Sequence, residues 1–277
     1  MNFSQAGILV VAGLMGGFLA GLIGIGGGVI FAPVLFFYLQ AIGVSPEYVT
    51  SFTLGSSLFC TLLASLSSTY FHMKRKAVVW RLALLTGVFS ALAVSLTTRF
   101  VTTQPWYDRE VFQAVFSIVL ILVSLRMFVR QAPQDTGVPV DQLQFHPAIV
   151  ALTGIVAGMI AAAAGVGGGV IMVPAFNRFL RVPVRQAVAT SSATIIFISL
   201  AGVLTYMWRG LQIQHGQSLP AIGFVDVGHA LLLAIPAIFM ARYGVQTAHR
   251  IRAAWLRRSF ALVALLIALR LLYRAIA

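Results

Sequence analysis

Two apolar stretches of this chain are interrupted by the same run of glycines: GIGGGVIFAP, from Gly24 to Pro33, returns as GVGGGVIMVP, from Gly165 to Pro174. At this offset of 141 residues Gly13 also falls on Gly154, Gly17 on Gly158 and Ala20 on Ala161, so the chain is an internal duplication. A helix is expected in such apolar surroundings, yet three adjacent glycines followed by a proline disrupt one strongly. Both helices are therefore expected to break at matching points.

Composition sets the medium. Hydrophobic residues make up 60% of 277 positions and charged residues only 9%, far below the roughly 25% charge of soluble domains. Apolar runs of membrane-spanning length, about 20 residues, extend over 49–71, 78–97, 111–129, 186–208, 224–241 and 256–272. The stretches 3–43 and 147–180 are too long for one span, and each reads as two short helical pieces meeting at its glycines. A secretory signal peptide is not expected, because no Lys or Arg precedes the first apolar run and the pattern recurs internally. The fold class expected is an all-α polytopic membrane protein. Its units are a first repeat over 1–130, a cytoplasmic linker over 131–146 rich in proline and polar residues, and a second repeat over 147–277.

The net charge of +13 comes from basic residues at the ends of apolar runs, a pattern of membrane orientation rather than of nucleic-acid binding. If each broken segment dips in and returns, with both chain termini outside, fourteen basic residues lie inside and five outside. If each crosses once, the best split is nine against ten. The first arrangement fits the positive-inside rule and makes the second repeat enter from the opposite face. The expected architecture is thus two inverted repeats, each a glycine-broken re-entrant pair plus three transmembrane helices, as in many secondary transporters. FSIVLILVSLRMF from Phe116 pairs with FALVALLIALRLL from Phe260, placing Arg126 opposite Arg270.

A helix that starts inside a membrane presents unpaired N–H groups and the positive end of its dipole, which suit a small anion. The second half-helices are expected to start near Val29 and Val170, making Gly26, Gly27, Gly28 and Val29, with Gly167, Gly168, Gly169 and Val170, the candidate substrate site. The adjoining spans carry Thr53, Ser56 and Ser57, and Thr190, Ser191, Ser192 and Thr194. Registering Pro46 on Pro183 sets Thr53 on Thr190, so Thr53, Thr190 and Ser191 join the site. All six acidic residues map to loops or span ends; a central carboxylate for ion coupling is not expected. The membrane potential alone drives an anion outward, at about 2.3 kcal/mol per charge per 100 mV.

Plainer roles are expected elsewhere. Gly13, Gly17 and Gly21, and Gly154 and Gly158, have the spacing of helix-packing interfaces. The Ser/Thr clusters are equally able to bond back to their own helices. Cys60 reads as a small buried hydrophobe. His72, His146, His215, His229 and His249 lack the pairing of a metal site and read as interfacial, and Trp80, Trp106 and Trp208 as anchors. Asp226 reads as a helix cap. No cofactor or metal is expected.

GGFLAGLIGIGGGVIFAPVL followed by FTLGSSL, and AGMIAAAAGVGGGVIMVPAF followed by AVATSSATI, resemble the TauE/SafE family over nearly the whole chain, from about Gly13 to Arg274. The resemblance implies a bacterial inner-membrane exporter of small sulfur-containing oxyanions such as sulfite, sulfoacetate or other organosulfonates. The second copy carries the family's Ala-Thr-Ser at Ala189, Thr190 and Ser191; the first departs from it with Phe52, Thr53 and Leu54. Two other classes stay open: a channel or permease for another small anion or a metal cation, and a membrane-embedded enzyme, for which no nucleophile, base or metal cluster is visible.

Overall fold

Twenty-one uncharged residues open the described chain as one helix, α1 (Phe3–Ile23), about 31 Å long and so long enough to cross a bilayer. The computed structural model describes residues 3–128, 145–213, 220–250, 265, 268 and 269. After the first glycine run come α2 (Gly28–Ala41), α3 (Pro46–Met73), α4 (Trp80–Thr97), which runs on as a wider π-helical turn over Thr98–Thr102, and α5 (Arg109–Phe128). The second half repeats the order with α6 (Pro147–Ala164), α7 (Gly169–Arg178) and α8 (Val184–Leu211). A small hairpin, β1 (Ala221–Ile222) and β2 (Val225–Asp226), leads into α9 (Val227–Arg250). The expected last span, the Arg126–Arg270 pairing and most of the linker lie outside the described residues or side chains.

The fold is that of an all-α polytopic membrane protein. Among the described residues, six helices are long and apolar enough to span: α1, α3, α4, α6, α8 and α9. The first piece of each broken segment is therefore not short, as the sequence reading had it; only the second pieces are, with 14 residues in α2 and 10 in α7. On α4, Leu84, Val88, Leu92 and Leu96 form an exposed stripe at four-residue spacing, the surface a lipid-facing helix presents. Trp80 and Trp208 are exposed at helix ends and Trp106 in the turn before α5, the placement of interfacial anchors.

Contact pairs give the helix directions. Gly13, Gly17 and Gly21 of α1 lie against the backbone of Leu233, Ala237 and Ala241 of α9, so these two helices run the same way. So do α3 and α9, since Cys60 Sγ donates to Ala230 O at 3.3 Å and Ser67 Oγ to Ile238 O at 2.7 Å. The same holds for α6 on α4, where Gly154 and Gly158 meet Thr86 and Ser90, and for α8 on α4, where Phe197 meets Gly87 and Thr205 meets Ser95. In contrast, α3 and α8 are antiparallel: Leu58 packs on Gly202, while Ser68 Oγ donates to Ser192 Oγ at 3.1 Å. Because α1 and α3 point the same way, the chain must return through the α2 segment before α3 begins.

The two glycine ladders thus serve the packing role that their spacing suggests, bringing backbones into contact where lipid offers no hydrophobic gain. A Cβ on Gly17 would overlap the Ala237 backbone, whereas one on Gly7 would meet nothing within 4 Å. Overpacking of this kind costs about 1–3 kcal/mol. Gly17→Val is expected to lower the melting temperature of the purified protein by about 5 °C, and Gly7→Val to leave it unchanged, as read by a thermal-shift assay in detergent.

Candidate functional site

Gly27 and Gly168 immediately precede α2 and α7, with φ of 79° and 76°, a left-handed backbone that turns each chain out of its break at little cost only for glycine. The half-helices begin at Gly28 and Gly169, one residue ahead of the expected starts. The two breaks run past each other: Gly28 abuts Gly165 and Val166, Gly169 abuts Gly24 and Ile25, and Gly26 and Gly167 both lie against Thr61 and Ile195. A Cβ on Gly26 would sit 2.7 Å from the Thr61 methyl, and one on Gly167 at 2.8 Å. Every residue from Gly24 to Ile30 and from Ala164 to Val170 is buried.

At this crossing the backbone is short of acceptors. In α2 the amides of Ile30 and Phe31 both donate to Gly27 O, and in α7 those of Ile171 and Met172 both donate to Gly168 O. Among the described residues, no acceptor meets the N–H groups of Gly26, Gly27, Gly28 and Val29, or of Gly167, Gly168 and Gly169. Buried amides are ordinarily paired, and an orphan costs free energy comparable to a lost hydrogen bond. The carbonyls that open the breaks are instead held, each by a serine of the other half. Ser57 Oγ donates to Gly165 O at 2.9 Å and Ser191 Oγ to Gly24 O at 2.8 Å. The crossing therefore offers donors, and two of its carbonyls, Gly24 O and Gly165 O, are already occupied by serines.

Of the hydroxyls chosen from sequence, Ser191 is at the crossing. Thr53 bonds back to Val49 O at 2.6 Å on its own helix, and Thr190 Oγ1 accepts from Val79 N at 3.0 Å. Equivalent contacts correct the register drawn from Pro46 and Pro183: Ser57 matches Ser191, and Ser56, which accepts from Asp226 N at 2.9 Å, matches Thr190. Ser57 and Thr61 were missed as site residues. Thr61 Oγ1 is wholly buried with no partner, as are Ser65 Oγ and, one turn further along α3, Thr69 Oγ1.

Two titratable side chains are buried. His72, at the end of α3, is covered by the protein. Asp226 precedes its span in sequence, as expected, and its Oδ1 accepts from His229 N at 3.1 Å as a cap. Yet it is fully buried, at the level of Ser56, the eleventh residue of the 28-residue α3, and its Oδ2 lies 2.7 Å from His229 Nδ1. A carboxylate does reach the interior.

Paired helix breaks inside an apolar helical bundle are a recurring feature of membrane transporters. The sequence model of the sulfite exporter TauE/SafE family matches residues 9–271, and the chain belongs to that family as a membrane transporter. A probable membrane transporter protein of Methanocaldococcus jannaschii is 30% identical over 90% of this chain and 89% of its own length. Similar proteins of that description occur in Haemophilus influenzae, 24% identical over 95% of this chain and 97% of the relative, and in Bacillus subtilis, YunE, 26% identical over 97% and 98%. No solved structure matches the chain.

Proposed function

We propose that the protein exports small sulfur-containing oxyanions, such as sulfite, sulfoacetate or other organosulfonates, and binds them at the crossing of the two glycine breaks. The observation that carries this reading is the set of buried N–H groups at the starts of α2 and α7 that meet no acceptor. An anion satisfies such donors without fixed cationic side chains that would hold it too tightly. A metal cation would call for free carbonyls, and two of those at the crossing, Gly24 O and Gly165 O, already accept from Ser191 and Ser57.

The wider frame is two inverted repeats, 1–130 and 147–277, joined by a cytoplasmic linker over 131–146. Support comes from the antiparallel α3 and α8 and from the matched packing of α1 on α9 and α6 on α4. With both termini outside a bacterial inner membrane, the end of α3 faces the cytoplasm. There a cavity of about 560 Å³ is lined by Tyr70, Phe71, Lys74, Arg75, Arg242 and Gln246, cations that would concentrate anions at the mouth. The unpartnered hydroxyls of Thr61, Ser65 and Thr69 lie one turn apart between that mouth and the crossing.

Purified protein in liposomes loaded with sulfite, sulfoacetate or methanesulfonate is expected to release at least one of them under a potential of the physiological sign, at a rate absent from empty liposomes. Failure with every anion of the panel rejects the substrate class.

A further inference from the structure

We infer that Asp226 and His229 form a proton-binding site linked to the anion site, an inference that rests on the function proposed above. An ionisable pair inside a membrane segment is costly to keep and marks an ion or proton path more often than a scaffold. Asp226 is fully buried, and the His229 side chain is 19% exposed, so one member is shielded and the other reaches the protein surface. The corresponding position of the first half, which donates its amide to Thr190 as Asp226 does to Ser56, is Val79. The charge is therefore on one side only.

The pair is wired to the crossing by adjacent residues: Asp226 N donates to Ser56, and the next residue, Ser57, donates to Gly165 O at the mouth of the second break. The Tyr38 ring, on the half-helix α2, lies 5.0 Å from the His229 ring. Tyr38 from α2 and Cys60 from α3 are the ionisable groups that feel Asp226 from other elements, and both side-chain types are largely neutral at pH 7 when unperturbed. With Nδ1–H donating to Asp226 Oδ2, the imidazole keeps Nε2 as the proton acceptor. Taking up one proton there converts a carboxylate–imidazole pair of charge −1 into a carboxylate–imidazolium pair of charge zero; no other bond changes. Removing a negative charge beside the crossing favours an anion there, and linkage makes the anion favour the proton equally.

Methanesulfonate keeps a single charge across the relevant range and serves as the probe. Its affinity for the full-length protein is expected to weaken by about tenfold as pH is raised from about 5 to about 9 and the pair gives up its proton. In His229→Gln the affinity is expected to be flat over that range. Asp226→Asn retains the oxygen that caps α9, so its melting temperature is expected to match the wild type while its pH dependence is expected to differ from the wild type's, a change that a purely capping role would not produce. Wild-type pH dependence in His229→Gln overturns the inference. If neither methanesulfonate nor sulfite binds at any pH, the substrate reading and the linkage fail together. The proton site is then decided separately by histidine-ring NMR: a resonance missing from His229→Gln that titrates in this range retains it, and one that stays fixed removes it.

Discussion

A single methyl group on Gly28 or on Gly169 is expected to lower anion flux at least tenfold while leaving the protein inserted and folded. Neither position needs a left-handed backbone, and alanine inside a helix is favoured over glycine by about 1 kcal/mol. Local propensity alone would make Gly28→Ala and Gly169→Ala stabilising. Packing opposes it, since a Cβ on Gly28 would overlap Gly165 O and Val166, and one on Gly169 would overlap Gly24 O and Ile25. The atoms in the way are backbone of the opposite break and have no rotamer in which to escape, so overpacking of about 1–3 kcal/mol outweighs the helical gain. The two segments must then separate, and donors that act from both sides of one bound anion no longer reach it together. The half-helices are equivalent, so the two variants are expected to lose flux alike. Gly7→Ala, with nothing within 4 Å, is the control for substitution as such. Flux in proteoliposomes at the wild-type rate in either crossing variant would reject the crossing as the binding site.

The duplicated break was legible because membrane chemistry is strict. A backbone without water must pair with itself, so GIGGG and GVGGG could not be passed over as loops, and the helix-packing glycines were legible from their four-residue spacing. What could not be read was depth and register. α1 reads as a half-length piece when the glycines are taken as a midpoint; its 21 residues instead rise past Gly16, to which Gly27 returns. Matching Pro46 to Pro183 fails because helix starts are set by the lengths of the preceding turns, whereas the shared site is set by the serines that reach the opposite break, Ser57 and Ser191. Asp226 was assigned to a span end by its place in the sequence, correctly, but the hairpin before α9 carries that end down to the level of Ser56. Linear position gives the order of residues along a helix and not the depth at which the helix begins.

Thr61 is where these strands of argument meet, and it separates a binding role from a structural one by sign. Its hydroxyl is buried without a partner while its methyl lies between Gly26 and Gly167. Valine has the same shape with a methyl in place of the hydroxyl. If Thr61 served only to fill space, Thr61→Val would change nothing except to remove an unsatisfied polar atom, worth about 1–3 kcal/mol when buried. The melting temperature of the free protein is accordingly expected to rise. In the anion complex, however, that hydroxyl becomes a donor to a charged acceptor, an interaction of about 1.5–3 kcal/mol, so affinity for sulfite or methanesulfonate is expected to fall by about 10- to 100-fold. Thr53→Val makes the contrast, because that hydroxyl is spent on Val49 O one turn back and its loss is expected to leave affinity within about twofold. Higher stability joined to weaker binding in Thr61→Val, measured by thermal shift and by equilibrium binding on the same preparation, is the pattern that places the anion at the crossing; a stabilised variant that binds as tightly as the wild type places it elsewhere.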